Sequence, residues 1–462
     1  MSYVKSSVGF RSRSRRLRVR KRRTFALAGL LFVAALVWLV ARPHSGPEAL
    51  APEAREAAPA VAERLVAPSP APQWTAGDRD RLWSRLHGAF APVIAGASGW
   101  SLAVVSAQGA TVFDERGERA VAPASVLKLV VAASALDALG PAYRFHTMFA
   151  AGGGTGDDGR LSGDLWLIGS GDPSLVSGDL RNGIGVLARS GLRRVDGRVM
   201  IDATALTGPP LNPHWGRDDN GQDYAAPTSA VSLDGDTIES QQIVDGVEQK
   251  VWTPMQNVAA YVGAQTKVML AARGIASASA PGVGAAPLDT VVLWDHRSAP
   301  LQTLESHMLF VSDNHYAEQL LRTIGGEVAG APDDAGGIAA ERQFLQRLGI
   351  PSPGLRLFDG SGLSPDDRIA AVTVARLLAD SQPALYLLLP QGGREGTLED
   401  YDFTTALGRV RAKSGHLSDV SALAGYANTL HHGRVAFAFL IDGSPGDPDA
   451  AIVRAVDRLV EF

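Results

Sequence analysis

The stretch Ala122–Gly140, APASVLKLVVAASALDALG, places a lysine three residues after a serine at the start of an otherwise apolar run. Pro123 suits the first turn of a helix and Gly140 is a strong stop, so the pattern predicts a helix. Ser125 then lies in the first turn and Lys128 one turn further along the same face, where the two side chains can touch. The stretch therefore predicts a Ser-Lys pair at the beginning of a helix.

Lysine is scarce in this chain, with only six among 44 basic residues. A serine hydroxyl is a poor nucleophile until a base removes its proton, and an amine can do this only when it is neutral. Arginine does not lose its proton in proteins, whereas burial can lower the pKa of a lysine. We therefore interpret Lys128 as a base for Ser125. The backbone N–H of Ser125, near a helix N-terminus, also suits a developing oxyanion.

Two further stretches support a catalytic role for this pair. Ser312-Asp313-Asn314 lies between two predicted helices, and Lys413-Ser414-Gly415 begins a predicted strand. A Ser-x-x-Lys sequence alone is a weak signal, because it often arises by chance. Ser-x-x-Lys, Ser-Asp-Asn and Lys-Thr-Gly together are motifs of penicillin-binding proteins and class A β-lactamases. The third motif departs from this pattern, because Ser414 stands where threonine is usual.

The sequence stretches around these motifs narrow the resemblance to one family. The chain resembles the D-Ala-D-Ala carboxypeptidase/endopeptidase family, peptidase family S13, of the penicillin-binding protein 4 type, over nearly everything from Val121 to Tyr426. The stretches that carry the resemblance are APASVLKL (122–129), GDLWLIGSGDPSL (163–175), YAAPTSAVSLDGDTI (224–238), HRSAPL (296–301), SDNHYAEQLLR (312–322), DGSGLS (359–364), LPQGGREGTL (389–398) and VRAKSGHL (410–417). That family also carries a long insertion between its first and second motifs, whereas ordinary class A β-lactamases have none.

The resemblance implies a serine-type D-Ala-D-Ala carboxypeptidase that acts through an acyl-enzyme, and it leaves an additional DD-endopeptidase activity open. Ser125 would be the acylated nucleophile and Lys128 its base, although the identity of the base is disputed across these enzymes and stays open. Ser312 and Asn314 would relay the proton and orient the substrate. Lys413 would hold positive potential near the terminal carboxylate of the substrate.

Three residues of the third motif are implied to bind substrate. Ser414 would offer a hydroxyl to the terminal carboxylate, and Gly415 would let the strand lie close to the substrate. The backbone N–H of His416 would complete the oxyanion hole with that of Ser125. The implied partners are peptidoglycan stem peptides and, as covalent inhibitors, β-lactam antibiotics; no cofactor and no metal ion are implied.

Patterns near both ends of the chain predict one core sheet. Alternating runs at 100–107 and 109–115 predict a β-hairpin, and alternating runs at 409–418, 421–430 and 433–442 predict three more strands. Helical patterns lie between them and at Pro448–Phe462. We therefore predict an α/β (α+β) core with a central antiparallel sheet flanked by helices. The resemblance implies a penicillin-binding/serine β-lactamase-like fold.

The chain between the first two motifs has a different character. Residues 145–294 contain short Gly-, Asp- and Val-rich runs, which predict strands with tight turns and hence an inserted β-rich domain or domains. The penicillin-binding core is predicted over 74–144 and 295–462.

The N-terminal region predicts a membrane anchor. Residues 1–23 contain ten Lys/Arg and no acid, and the uncharged run at 24–41 is long enough, at roughly 27 Å as a helix, to cross a bilayer. The positive-inside bias puts the basic tail in the cytoplasm and the catalytic part on the outer, periplasmic or extracellular, side of the cell membrane. Residues 42–73, rich in Ala, Pro and Glu, predict a linker. Cleavage of the apolar run as a signal peptide stays open.

Several other functions fit the sequence poorly. A nucleic-acid partner is disfavoured because the chain is strongly acidic beyond residue 23. The absence of cysteine excludes disulfides and thiolate catalysis. His431-His432 is predicted to be a hairpin turn, since neighbouring side chains point apart and no carboxylates cluster beside them. Asp359 and Ser361 are interpreted as parts of a tight turn, and Trp215 either packs in the core or lines a groove.

Two alternative functions are distinguishable from a DD-peptidase. A β-lactamase would need a dedicated deacylation base, which the sequence does not identify, and would turn over its acyl-enzyme rapidly. A non-catalytic wall-binding relative would have lost Ser125, Lys128 or Lys413, and all three are present.

Overall fold

The computed structural model describes residues 73–244 and 247–462. The predicted basic tail (1–23), the predicted anchor (24–41) and the predicted linker up to residue 72 lie outside the described residues. Within those described ranges, no helix is both long enough and apolar enough to cross a membrane.

The elements fall into three groups along the chain. The first group is α1 (Ala76–Ile94), β1 (Gly99–Ser106), β2 (Thr111–Glu115), β3 (Ala120–Val121), a 3₁₀ turn (Ala124–Leu127) and α2 (Lys128–Leu139). The second is β4 (His146–Ala151), β5 (Arg160–Leu161), β6 (Leu165–Gly169), α3 (Ser177–Arg189), β7 (Arg194–Val195), β8 (Val199–Asp202), β9 (Thr237–Val244), β10 (Val247–Pro254), α4 (Val258–Ala272), β11 (Ala276–Ser277), β12 (Gly282–Val283) and β13 (Val291–Arg297). The third is α5 (Leu301–Val311), α6 (Asn314–Ile324), α7 (Asp334–Arg347), β14 (Ile369–Ala370), α8 (Ala371–Asp380), α9 (Gln382–Leu385), β15 (Val410–His416), β16 (Val420–Asn428), β17 (Arg434–Asp442) and α10 (Pro448–Val460).

A five-stranded antiparallel sheet joins the first and third groups in the order β15-β16-β17-β1-β2. Alternate residues of a strand point to opposite faces, and here both faces are buried. Leu102 and Val104 pack with α1 and α10, whereas Ala103 and Val105 join the larger cluster that contains α2, α5, α6 and α8. The predicted α+β core with a central antiparallel sheet flanked by helices is confirmed.

The helix predicted over Ala122–Gly140 begins later than expected. The 3₁₀ turn occupies Ala124–Leu127, so Ser125 precedes α2 instead of lying in its first turn. Ala124 has a φ of 47°, which an α-helix cannot contain. A neighbouring loop packs directly on this turn: a Cβ at Gly362 would lie 1.9 Å from the carbonyl oxygen of Ala124. Tertiary packing has therefore overridden the local helix signal.

The segment between the first two motifs has an apolar core of its own. The side chains that form this core all lie between Phe149 and Trp294 in the sequence. A five-stranded sheet, β12-β8-β6-β4-β13, and a three-stranded sheet, β11-β7-β5, form most of it, with the β9-β10 hairpin beside them. Two helices, α3 and α4, were not anticipated from the sequence. We propose that residues 145–294 form one inserted domain.

Candidate active site

The serine of the first motif lies on a buried turn but reaches solvent. Ala124, Val126 and Leu127 are fully buried and anchor the 3₁₀ turn in the core. Ser125 is partly exposed, while the residues on both sides of it are buried. The hydroxyl is therefore accessible on a rigid support.

Lys128 starts α2, and its side chain is fully buried. Its Nζ lies 2.9 Å from Ser125 Oγ, 2.7 Å from Asn314 Oδ1 and 2.8 Å from the carbonyl oxygen of Ser361. Burial lowers the pKa of Lys128 to about 8, although the negative charges of nearby carboxylates act in the opposite direction. The amine therefore loses its proton far more easily than an exposed lysine.

The three neighbours of Nζ also determine how the neutral amine is oriented. Asn314 Oδ1 and the Ser361 carbonyl are acceptors without a proton to donate. A neutral amine has two N–H groups and one lone pair, so these two acceptors take both N–H groups. The lone pair then faces Ser125 Oγ, where it can accept the hydroxyl proton.

The second motif joins two helices beside this pair. Ser312 ends α5 in the left-handed conformation (φ 64°), which serine rarely adopts. Asp313 caps α6, and Asn314 is the first residue of that helix. The Nδ2 of Asn314 donates to the carbonyl oxygen of Tyr224, 2.9 Å away, which fixes the amide with Oδ1 toward Lys128.

A cleft of about 340 Å³ opens beside the second motif. Ser312 and Asn314 line one side of it, and Tyr224 and Trp252, both substantially exposed, line the other. Because Tyr224 and Trp252 belong to the segment between the first two motifs, that segment forms part of the wall.

The third motif lies on β15, which is an edge strand of the core sheet. A Cβ at Gly415 would lie 2.9 Å from Ser125 N and 2.9 Å from the carbonyl oxygen of Pro123, so only glycine lets the strand pack on the serine turn. The side chain of His416 points away from this contact to Asp449, with 3.0 Å between Nε2 and Oδ1. Gly415 therefore lets the third motif pack against the backbone of Ser125.

Lys413 and Ser414 differ in their surroundings. Lys413 is fully buried, and its Nζ donates to the carbonyl oxygen of Ser414 over 2.6 Å. Burial and then the positive charge of Lys128 lower the pKa of Lys413 well below its usual value. The Ser414 hydroxyl donates to Thr397 Oγ1, 2.9 Å away, so the site contains a pair of hydroxyls here.

The DGSGLS loop supplies a contact that side-chain motifs could not reveal. Ser361 accepts from Lys128 with its backbone carbonyl. Because every residue has a backbone carbonyl, the sequence does not identify such an acceptor. Asp359, fully buried, holds the turn by accepting from the N–H groups of Gly362 and Ser364, each over 2.7 Å. The indole N–H of Trp215 donates to the same carboxylate over 2.9 Å, so Trp215 packs in the core.

Comparison with known proteins identifies the family. The sequence profile of the D-Ala-D-Ala carboxypeptidase 3 (S13) family matches residues 92–244 and 241–461. The chain belongs to this family. It is 29% identical over 450 residues to a D-alanyl-D-alanine carboxypeptidase of Actinomadura sp. (strain R39), a match covering 80% of this chain and 82% of that protein. It is 31% identical over 346 residues to a carboxypeptidase of Mycobacterium tuberculosis, covering 69% and 70%.

The fold of this S13 chain is also found in a solved relative. The structure of penicillin-binding protein 4 from Haemophilus influenzae superimposes with a TM-score of 0.73 at 23% identity, covering 81% of this chain and 98% of that one. The same protein has been solved in complex with a β-lactam. The predicted family and the predicted enzyme class, a serine-type D-Ala-D-Ala carboxypeptidase, are thereby confirmed.

Proposed function

We propose that Ser125 is the nucleophile of this S13 carboxypeptidase and that Lys128 is its general base. The observation that carries the proposal is the 2.9 Å contact between Ser125 Oγ and a fully buried amine whose pKa is lowered to about 8. Ser125 Oγ attacks the carbonyl carbon of the D-Ala-D-Ala bond while its proton moves to Lys128 Nζ. The bond to the terminal D-Ala breaks, its nitrogen takes up a proton, and water then hydrolyses the ester on Ser125.

The oxyanion of this reaction is assigned to two backbone N–H groups, those of Ser125 and His416. Support comes from Gly415, whose lack of a Cβ brings β15 within van der Waals distance of Ser125 N. Preorganised backbone donors of this kind stabilise charge that develops in the transition state.

Ser312 and Asn314 are assigned to proton relay and to substrate orientation. The 2.7 Å contact between Asn314 Oδ1 and Lys128 Nζ supports this role, because a group beside the base can orient the amine during proton transfer. Ser312 lines the adjacent cleft, from which its hydroxyl can relay a proton to the leaving nitrogen.

Lys413 and Ser414 are assigned to the terminal carboxylate of the stem peptide. Burial, and then the charge of Lys128, lower the pKa of Lys413. An entering carboxylate raises the pKa of the Lys413 amine, which can then take up a proton and pair with it. The hydroxyls of Ser414 and Thr397 offer further hydrogen bonds, and Ser414 retains the hydroxyl that threonine supplies in related enzymes.

The rate of acylation is expected to rise with pH through about 8 and then level off. Below that pH, Lys128 in the free enzyme is protonated and cannot accept the serine proton; above it the amine is neutral. The measurement is the second-order rate constant for labelling by a fluorescent penicillin, from about pH 6 to about pH 10. A rate that falls as pH rises through this range would contradict the assignment of the base.

The activity itself is tested with a synthetic stem peptide that ends in D-Ala-D-Ala. We expect the full-length protein to release one D-alanine per peptide, and mass spectrometry of digested cross-linked wall fragments to report any endopeptidase activity. A β-lactamase would instead hydrolyse nitrocefin rapidly without accumulating an acyl-enzyme. Absence of D-alanine release, of penicillin labelling and of nitrocefin hydrolysis in folded protein would leave only the non-catalytic alternative.

We further propose that residues 24–41 anchor the protein in the cell membrane by a single span, with the catalytic part on the outer side. The support is the uncharged apolar run directly after ten basic residues. We expect the full-length protein to sediment with membranes and to resist extraction by high salt. A variant in which an independent export signal replaces residues 1–41 should be active and should no longer sediment with membranes. If the full-length gene product is instead recovered wholly in the soluble fraction and lacks residues 1–41, the apolar run is a cleaved signal peptide.

A further inference from the structure

Glu318 is a buried acid close to the catalytic pair for which the reaction gives no direct use. It lies on α6 one turn after Asn314, so the two side chains share one face of the helix. Its side chain is 1% exposed. Such a residue is rarely buried without partners, because removing a carboxylate from water is costly.

The partners of Glu318 are the backbone N–H groups of Gly360 and Ser361 in the DGSGLS loop, together with the side chain of Ser361. Its Oε1 accepts from Ser361 N over 2.8 Å and from Gly360 N over 3.2 Å. The carbonyl of the same residue, Ser361, accepts from Lys128 Nζ over 2.8 Å. Glu318 therefore holds the residue whose carbonyl orients the amine.

The loop needs an external restraint at this point. Gly360 and Gly362 flank Ser361, and glycine leaves the backbone more freedom than any other residue. Asp359 fixes the far side of the turn through Gly362 and Ser364 but makes no bond to the N–H groups of Gly360 and Ser361. Burial, and then the charge of Asp359, raise the pKa of Glu318 to about 8, and with or without its proton the acid keeps an oxygen, Oε1, that accepts from the two converging N–H donors.

We propose that Glu318 is a positioning residue for the reaction: it fixes Ser361 so that the Ser361 carbonyl holds one N–H of Lys128 and the lone pair of the amine is kept toward Ser125. This inference rests on the proposed role of Lys128 as the base. Glu318 touches neither substrate nor the reacting atoms, so its effect is on the acylation step and not on substrate affinity.

The test compares the length of the side chain with its acidity in the full-length protein. Glu318→Gln keeps the length of the side chain and an oxygen that accepts from Ser361 N, whereas Glu318→Asp keeps an ionisable acid but withdraws it from the loop. We expect the rate constant of acylation by penicillin to fall less than about 10-fold in Glu318→Gln and about 100-fold in Glu318→Asp, with the noncovalent binding constant nearly unchanged in both.

Glu341 offers a matched control on α7. It is also fully buried and ionisable, but neither of its carboxylate oxygens has a hydrogen-bond partner among the described residues. Glu341→Gln and Glu341→Asp should leave acylation within about 3-fold of the parent.

Several outcomes would overturn the positioning role. Acylation in Glu318→Asp equal to or faster than in Glu318→Gln would make an ionisable acid, and not the length of the side chain, the requirement. Equal losses at Glu341 would indicate a general effect of buried acids. A Glu318→Asp protein that fails to fold while Glu341→Asp folds would make Glu318 a residue of stability alone. If the parent protein itself is not acylated at Ser125, the proposed function fails instead, and the two failures are thereby distinguished.

Discussion

Ser125→Ala is expected to abolish covalent labelling by a fluorescent penicillin and to lower D-alanine release by a factor on the order of 10⁴ or more. In the proposed reaction the Ser125 hydroxyl oxygen forms the acyl-enzyme, and alanine offers no atom that can replace it. The substitution removes one oxygen from a partly exposed position, so the melting temperature should change little. Gel fluorescence and intact-protein mass spectrometry measure the label.

The control for this variant is Ser134→Ala on α2, the helix that follows the Ser125 turn. Ser134 is buried, and its hydroxyl donates to the carbonyl oxygen of Val131 over 3.0 Å, a bond within the helix that involves no residue assigned to the site. Labelling and D-alanine release should both persist in Ser134→Ala. A Ser125→Ala protein that is folded yet still acquires one penicilloyl group would identify another nucleophile.

Lys128→Met is expected to lower the acylation rate by about 10³-fold to 10⁴-fold, because methionine fills a similar volume but cannot take a proton. The loss should be in the rate constant of acylation, with weaker effects on noncovalent binding. The residual rate should also no longer rise with pH through about 8, since the group responsible for that rise is gone. Stopped-flow acylation over a range of pH measures both effects.

Lys250→Met provides the matched control. Lys250 lies on β10, is exposed and pairs with Glu239 at 2.7 Å. This change should leave both the rate and its pH dependence intact. Acylation by Lys128→Met within about 10-fold of the parent rate would exclude Lys128 as the base and turn attention to Lys413.

The core fold was predictable because its signals are local and strong. Alternating apolar residues marked β1, β16 and β17, and the 3.6-residue period marked α6 and α10. The Ser125 and Lys128 pair was suggested by its spacing on one face of a predicted helix, whereas Asn314 was found only through the resemblance of Ser312-Asp313-Asn314 to a known motif. The described geometry brings these three together at Lys128 Nζ.

The remaining features depend on contacts that a sequence pattern does not encode. The 3₁₀ turn at Ser125 results from the packing of Gly362 and Gly415, which lie far away in the chain. The carbonyls of Tyr224 and Ser361 act through the backbone, so any residue type could supply them. Helix α3 was missed because it contains three glycines; one of them, Gly183, lies under the ring of Trp294, where a Cβ would come within 2.8 Å of the ring atoms.

The pairing of β1 with β17 has a consequence for biosynthesis. During translation, the segment with Ser125 and Lys128 is made well before Val410–Asp442, which supplies three of the five strands of the sheet. Until those strands arrive, the nascent polypeptide exposes one side of β1 as an unpaired edge. The chain can therefore emerge from the ribosome with Ser125 and Lys128 already synthesised and yet remain inactive until the last strands have been added.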